Sequence, residues 1–255
     1  MKKNDIINNP IKGSRRGFFR IAAATFVMLT FAGILLAAAA EDLVSQKRLK
    51  IGVIGSGRIG GTLGALWVKA GHEVLFSSRH PDQLEQLVKP LGPTARAGMP
   101  REAAVFGDVV LISIPYHAVP QVGRDLAREL DGKVVLETGN PYPARDGEMA
   151  VQARIRGTGL SSADFLPGVR LVRAFNSVGH MALRSEAHRP GDRVAIPLAS
   201  NDRQALAVAS RLVEDAGFEP VVVGPLIRAK EFDVGTAVYG QALTARELRR
   251  KLEID

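Results

Sequence analysis

The chain has 255 residues, 46% of them hydrophobic, with 34 Lys and Arg against 26 Asp and Glu and no cysteine. Without a thiol there can be no disulfide, iron–sulfur ligation or cysteine nucleophile. Despite the net charge of +8, aromatic residues make up only 5% and no Lys/Arg cluster is interleaved with them, which excludes a basic nucleic-acid-binding protein.

Most of that charge belongs to residues 1–40. They hold six of the basic residues and one acid, Asp5, which leaves 28 basic against 25 acidic residues, a net of +3, in the rest of the chain. The segment starts basic and then runs from Ile21 to Ala40 without a charge, ending in Ala38-Ala39-Ala40 before Glu41-Asp42. Small residues at that point are what a signal peptidase cuts after. Ser14 to Arg20, "SRRGFFR", resembles a twin-arginine export signal. The expectation is a cleaved signal, the twin-arginine export machinery as a partner, and a periplasmic destination. An uncleaved membrane anchor stays open as the alternative, because about 20 apolar residues could span a bilayer.

From Lys47 onward, short β-rich runs alternate with helical spacing. Leu49–Ile54, Glu73–Ser77, Asp108–Ile114, Lys133–Glu137 and Val169–Phe175 read as strands, with helices over Ile59–Ala70 and Val119–Leu130 between them. Strands joined by crossover helices predict an α/β fold, a Rossmann-type doubly wound parallel sheet. Beyond Asn176 the pattern predicts a small C-terminal α/β extension: a strand in "RVAIPLAS", a helix from Asp202 to Ala216 capped by Asn201 and stopped by Gly217, a strand in "EPVVVG" and a terminal helix. The domain reading is a dinucleotide-binding domain over 47–176 and a small substrate or dimerisation domain over 177–255.

The first strand leads into "GSGRIGG", where Gly55, Gly57 and Gly60 form G-x-G-x-x-G at a strand-to-helix junction. Gly55 permits the tight turn, Gly57 lets a pyrophosphate approach, and Gly60 lets the helix close on the sheet. Ser56, Arg58 and Ile59 fill the loop between them. The second strand normally ends in an acid that binds the adenosine ribose of NAD. Here it ends in Ser77, Ser78 and Arg79, with no acid until Asp82. A guanidinium bonds a 2′-phosphate where a carboxylate would repel it. The expected cofactor is NADP(H). Arg79 as a solvated surface residue is the competing reading.

"KIGVIGSGRIGGTLGALWVKAGHEVLFSSRHP", "VVLISIPYHAV", "GKVVLETGNPY", "VRAFNSVG" and "ASNDRQALAVASRLVEDAGFEPVVVGPL" occur in this order. Together, over Leu49 to Arg228, they resemble the coenzyme F420-dependent NADP oxidoreductases. They also resemble the related NADP-binding domain of membrane ferric reductases. The resemblance implies that Ile114 and Pro115 border the ribose and nicotinamide, that Asn140 lies near the reactive ring, and that Asn176 faces the cleft of the second substrate. For each of these, a plain strand-end turn residue is the other reading. The resemblance also implies a homodimer. Gln83 departs from it, standing where family members often carry a further basic residue, and this weakens the 2′-phosphate clamp.

No metal-binding spacing and no G-x-S-x-G elbow occur, and the five histidines are scattered. His117, near Pro115, is the one histidine predicted at the carboxyl edge of the sheet. It is either a substrate contact or a helix-start residue. Hydride transfer between a nicotinamide and a deazaflavin or flavin needs alignment and exclusion of water more than a base. The leading reading is therefore an NADP(H)-dependent oxidoreductase with a small-molecule redox acceptor, F420 or a flavin, as second substrate. An exported NADP(H)-binding module without turnover stays open, as does a flavin-mediated metal-ion reductase.

Overall fold

The strand runs assemble into one sheet in a computed structural model that describes residues 48–254. The predicted export segment, residues 1–40, lies outside the described residues. The strands are β1 (Lys50–Ile54), β2 (Glu73–Ser77), β3 (Ala95–Gly98), β4 (Val109–Ile112), β5 (Val134–Glu137), β6 (Arg170–Arg173), β7 (Ala195–Ala199) and β8 (Glu219–Gly224). Their spatial order is β3-β2-β1-β4-β5-β6-β7-β8. β1 to β6 are all parallel. The chain goes outward from β1 to β2 and β3, then returns to the other side of β1 as β4, and such a reversal opens a crevice beyond the carboxyl ends of the strands.

The helices are α1 (Arg58–Lys69), α2 (Glu85–Val88), α3 (Pro100–Phe106), α4 (Val119–Asp125), α5 (Ala127–Leu130), α6 (Pro143–Asp146), α7 (Glu148–Arg156), α8 (Thr158–Phe165), α9 (His180–Ser185), α10 (Arg203–Asp215) and α11 (Ala245–Lys251). None of the described helices is long and apolar enough to cross a membrane. Apart from the edge strand β3, the parallel strands are apolar and buried over most of their length, as buried parallel strands are, because helices cover both faces of the sheet. On one face Trp67 of α1 is fully buried with Phe76, Phe175 and Phe218. The Trp67 indole donates to the Leu212 carbonyl of α10 at 2.7 Å, and its ring meets Phe175 edge-on at 6.2 Å. On the other face Tyr116, Val119, Leu126 and Leu166 form a second core.

Four differences from the sequence reading have physical reasons. β7 is antiparallel to β6, through the single pair Arg173↔Ala199. Each is the last residue of its strand, so the rest of β7, with β8 parallel beside it, projects past the carboxyl end of β6. The helix α10 is capped by Asp202, whose carboxylate accepts from Gln204 N and Ala205 N; Asn201 instead accepts from Leu226 N at 2.9 Å. The single helix expected over Val119–Leu130 breaks at Leu126, which leaves helical geometry at φ −117° and ψ 16° and is buried. β3 escaped notice because it is a four-residue edge strand with two exposed residues and no alternating pattern. Residues 177–255 contribute β7 and β8 to the common sheet, and Arg48–Asp255 forms one compact unit.

Candidate functional site

Gly55 takes φ +94°, a left-handed conformation, and a β-carbon there would lie 2.3 Å from the Ser113 carbonyl. Only glycine fits both demands. The main-chain pairing continues just past the strands, with Ser56 N donating to Ser77 O and Ser113 N donating to Ile54 O, so the loop is held open at the sheet edge. At Gly60 the demand is proximity: a β-carbon would stand 2.2 Å from Gly55 O, so α1 packs directly on the loop. Gly57, at the N-cap of α1, differs in having nothing within 4 Å of an added β-carbon. No side chain caps α1 and no acid sits in its first turn. Its free N–H groups and positive dipole end therefore face open space, the arrangement that receives a phosphate. The Ser56 hydroxyl beside them is buried without a partner. These features fit a dinucleotide's pyrophosphate.

A cleft of about 720 Å³ opens from this loop. It brings together Gly55, Ser56, Gly57, Ser78, Arg79, Ile114, Pro115 and His117. Arg79 is exposed, and no ion pair engages it among the described residues, so its guanidinium is available to an anion. Ser78 braces the turn by accepting from His80 N at 3.1 Å. Gln83 lines the same cleft. The His117 ring is held at the edge of this cleft, its Nδ1 2.8 Å from Asp146 Oδ1. Asp146 also accepts from Arg145 and from Tyr142 N. Burial works to raise the Asp146 pKa, but the Arg145, Tyr142 and His117 bonds outweigh it and hold the carboxyl well below the usual range.

A second compartment of about 580 Å³ adjoins the first, and the two share Ser113, Ile114 and Pro115. It collects Arg58, Ile59, Asn140 and Asn176 from the predicted set, together with Tyr142, Arg145, His180 and Tyr239. No carboxylate lines it. Asn140 donates to Asn176 O at 2.8 Å and to the Tyr239 hydroxyl at 3.4 Å, and Asn176 donates to Phe232 O at 3.2 Å. The amide oxygens of both are buried and unpaired, and a buried acceptor left in that state costs about 1–3 kcal/mol unless something fills it. The Tyr142 and Tyr239 hydroxyls bond each other. Burial first, then the Tyr142 bond, raises the Tyr239 phenol above its ordinary value. Of the thirteen predicted residues, Gly60 alone lines neither compartment; it acts through packing.

Sequence reasoning missed Tyr239 and a buried ionic group behind the Asn140 turn. Glu137 and Arg173 are register partners on β5 and β6, both fully buried and ion-paired. Arg173 also meets Asp233 at 3.2 Å. A charge inside each of two apolar strand runs was the signal available.

Residues 50–141 match the family model described as NADP oxidoreductase coenzyme F420-dependent, the family the sequence resembles. The F420-dependent NADP reductase of Methanocaldococcus jannaschii is 27% identical over 173 residues, which cover 63% of this chain and 76% of that protein. The metalloreductase STEAP3 of Rattus norvegicus is 26% identical over 194 residues, 74% of this chain but only 37% of the rat protein. Among solved structures, a candidate F420-dependent NADP reductase from Arthrobacter sp. FB24 superposes with a TM-score of 0.62 at 19% identity, covering 77% of this chain and 99% of that one. That likeness establishes the shared fold.

Proposed function

We propose, for a chain whose residues 50–141 match the coenzyme F420-dependent NADP oxidoreductase family, that it is an NADP(H)-dependent oxidoreductase with a deazaflavin or flavin as its second substrate. The observation that carries this reading is the meeting of the two compartments at Ser113, Ile114 and Pro115. A dinucleotide laid from Arg79 past Gly57 would reach that junction. NADP(H), when bound, supplies or accepts the hydride.

The chain's own residues do the rest. The α1 N-terminus and Ser56 hold the pyrophosphate, and Ser78 with Arg79 hold the 2′-phosphate. Ile114 and Pro115 form an apolar wall that keeps water from the reacting atoms. The Asn140 carboxamide, tied to Asn176 O and to the Tyr239 hydroxyl, gives the compartment a fixed polar wall against which a ring can be oriented for transfer. Arg58 and the absence of lining carboxylates suit an acceptor bearing negative charge, as a phosphorylated deazaflavin or flavin does. Two-electron reduction of such a ring also takes up a proton, and the phenols of Tyr142 and Tyr239 carry exchangeable protons at the compartment wall.

The test is to denature the purified protein and identify released nucleotide, then mix NADPH with F420, FMN or FAD and follow the nicotinamide absorbance. Turnover with one of them supports the reading and names the acceptor. Tight NADP(H) without turnover would replace it with a binding module. The likeness to a metalloreductase supports one secondary reading, metal-ion reduction through a bound flavin, tested by adding ferric citrate to the FAD assay. We also propose export of residues 41–255 through the twin-arginine pathway, resting on "SRRGFFR" and the uncharged run after it. Cell fractionation tests this: replacing Arg15 and Arg16 by Lys should hold the protein in the cytoplasm at full length.

A further inference from the structure

We infer that Arg173, with Glu137 and Asp233, is the positioning residue of the second compartment, one buried guanidinium setting both of its facing walls. The inference rests on the reading that this compartment takes the second substrate.

The Arg173 side chain is fully buried. Its Nη1 donates to the Glu137 carboxylate, to Glu137 O at 3.2 Å and to Gly139 O at 2.9 Å. Its Nη2 donates to Asp233 Oδ1 at 3.2 Å. Glu137 bends back so that its second oxygen accepts from Gly139 N. A β-carbon on Gly139 would fall 2.3 Å from that oxygen, so only glycine leaves room for the carboxylate in this turn. Gly139 thus has both its N–H and its carbonyl held by the ion pair, and the next residue is Asn140. On the far side, Asp233 opens the segment that carries Tyr239 and Gly240 along the opposite wall. Its Oδ2 also accepts from Thr158 N, the first residue of α8, at 2.9 Å.

Stability does not account for this arrangement. Desolvating an ion pair costs about as much as its attraction returns, and apolar replacements of similar volume are often neutral or better. What such a pair supplies here is direction, since a planar guanidinium fixes several partners at set angles. Three segments far apart in sequence, 137–140, 158 and 233–240, are set by it. Among the described residues, Arg173 adds the one charged tie between these walls to the neutral bonds from Asn140 to Asn176 O and from Asn176 to Phe232 O.

The experiment is amide hydrogen–deuterium exchange on the full chain carrying Asp233→Asn, compared with wild type. Asparagine keeps the size and can still accept from Thr158 N, but loses the charge. Exchange in peptides covering 138–142 and 236–240 should rise together, by about tenfold, while peptides covering 55–61 stay within about twofold. The reciprocal variant Glu137→Gln should loosen 236–240, which Glu137 does not touch. Should Asp233→Asn fail to fold by circular dichroism, Arg173→Lys takes its place, because one ammonium cannot span Gly139 O and Asp233. In steady-state kinetics the same variants should raise the acceptor KM or lower kcat by about tenfold with the NADPH Kd unchanged. Loosening confined to 236–240, or an unchanged acceptor kcat/KM alongside coupled loosening, would overturn the inference. A wild-type protein that binds no NADPH would overturn the functional reading instead, and the exchange result would stand apart from it.

Discussion

Two glycines of one loop should fail in opposite ways when each gains a methyl group. At Gly60 the new carbon would stand 2.2 Å from Gly55 O and 3.0 Å from Val53 Cγ1. The first of these is backbone and cannot swing away, so α1 must shift. Overpacking of this kind costs about 1–3 kcal/mol. For a chain of this size each kcal/mol lowers Tm by about 2–4 °C, so Gly60→Ala should melt roughly 2–12 °C below wild type. At Gly57 nothing lies within 4 Å, and φ of −74° with an extended ψ suits an L residue. Folding should be unharmed, or gain about 0.5 kcal/mol from a stiffer unfolded chain. The methyl would instead occupy the space a phosphate needs in front of α1, lowering NADPH affinity by about tenfold, or about 1.4 kcal/mol. Thermal melts followed by the single Trp67 and NADPH titrations of both variants decide the matter. A Gly57→Ala protein that binds NADPH like wild type would refute the pyrophosphate site, and one that melts as low as Gly60→Ala would refute the division of roles.

Arg79→Glu should weaken NADPH by about 1.5–3 kcal/mol, roughly 10- to 150-fold, and NADH much less; equal losses in paired titrations would show that Arg79 does not read the 2′-phosphate. Trp67→Ala should cost about 3–5 kcal/mol, measured by urea unfolding with circular dichroism, because a fully buried ring and its bond to Leu212 O join α1 to α10. Asp146 has a folded pKa held below its unfolded value by Arg145, Tyr142 N and His117 against the effect of burial. Its contribution is therefore fully present above the unfolded pKa of about 3.9 and is lost as pH falls below it. Asp146→Asn should flatten the acid side of the stability–pH curve while lowering stability at pH 7, as read from chemical denaturation at several pH values.

How far the sequence reached depends on the range of the forces involved. The glycine loop was legible because backbone geometry excludes side chains there, and Ser78 and Arg79 because they fall at the end of a strand with unmistakable composition. Asn140 and Asn176 were placed by the family resemblance. Their shared compartment was not visible, since it depends on β5, β6 and the 233–240 segment meeting in space. Glu137 and Arg173 stand conspicuously in apolar runs, yet only the register of β5 against β6 pairs them. Tyr239 lies in a stretch with no helical or strand period. The cap of α10 shows a local ambiguity settled at long range: Asn201 and Asp202 both suit the role, and Leu226 N claims the first.

The two compartments also differ in when they come into being. The lining of the first compartment ends at Leu126, whereas the adjoining compartment needs Tyr239 and Gly240 and the anchoring carboxylate of Asp233. Every residue lining the first compartment therefore precedes in the chain those that close the second. The second compartment stays without its outer wall until residues 233–240 have been synthesised. Synthesis, which runs from the amino terminus, thus completes the lining of the first compartment before that of the second.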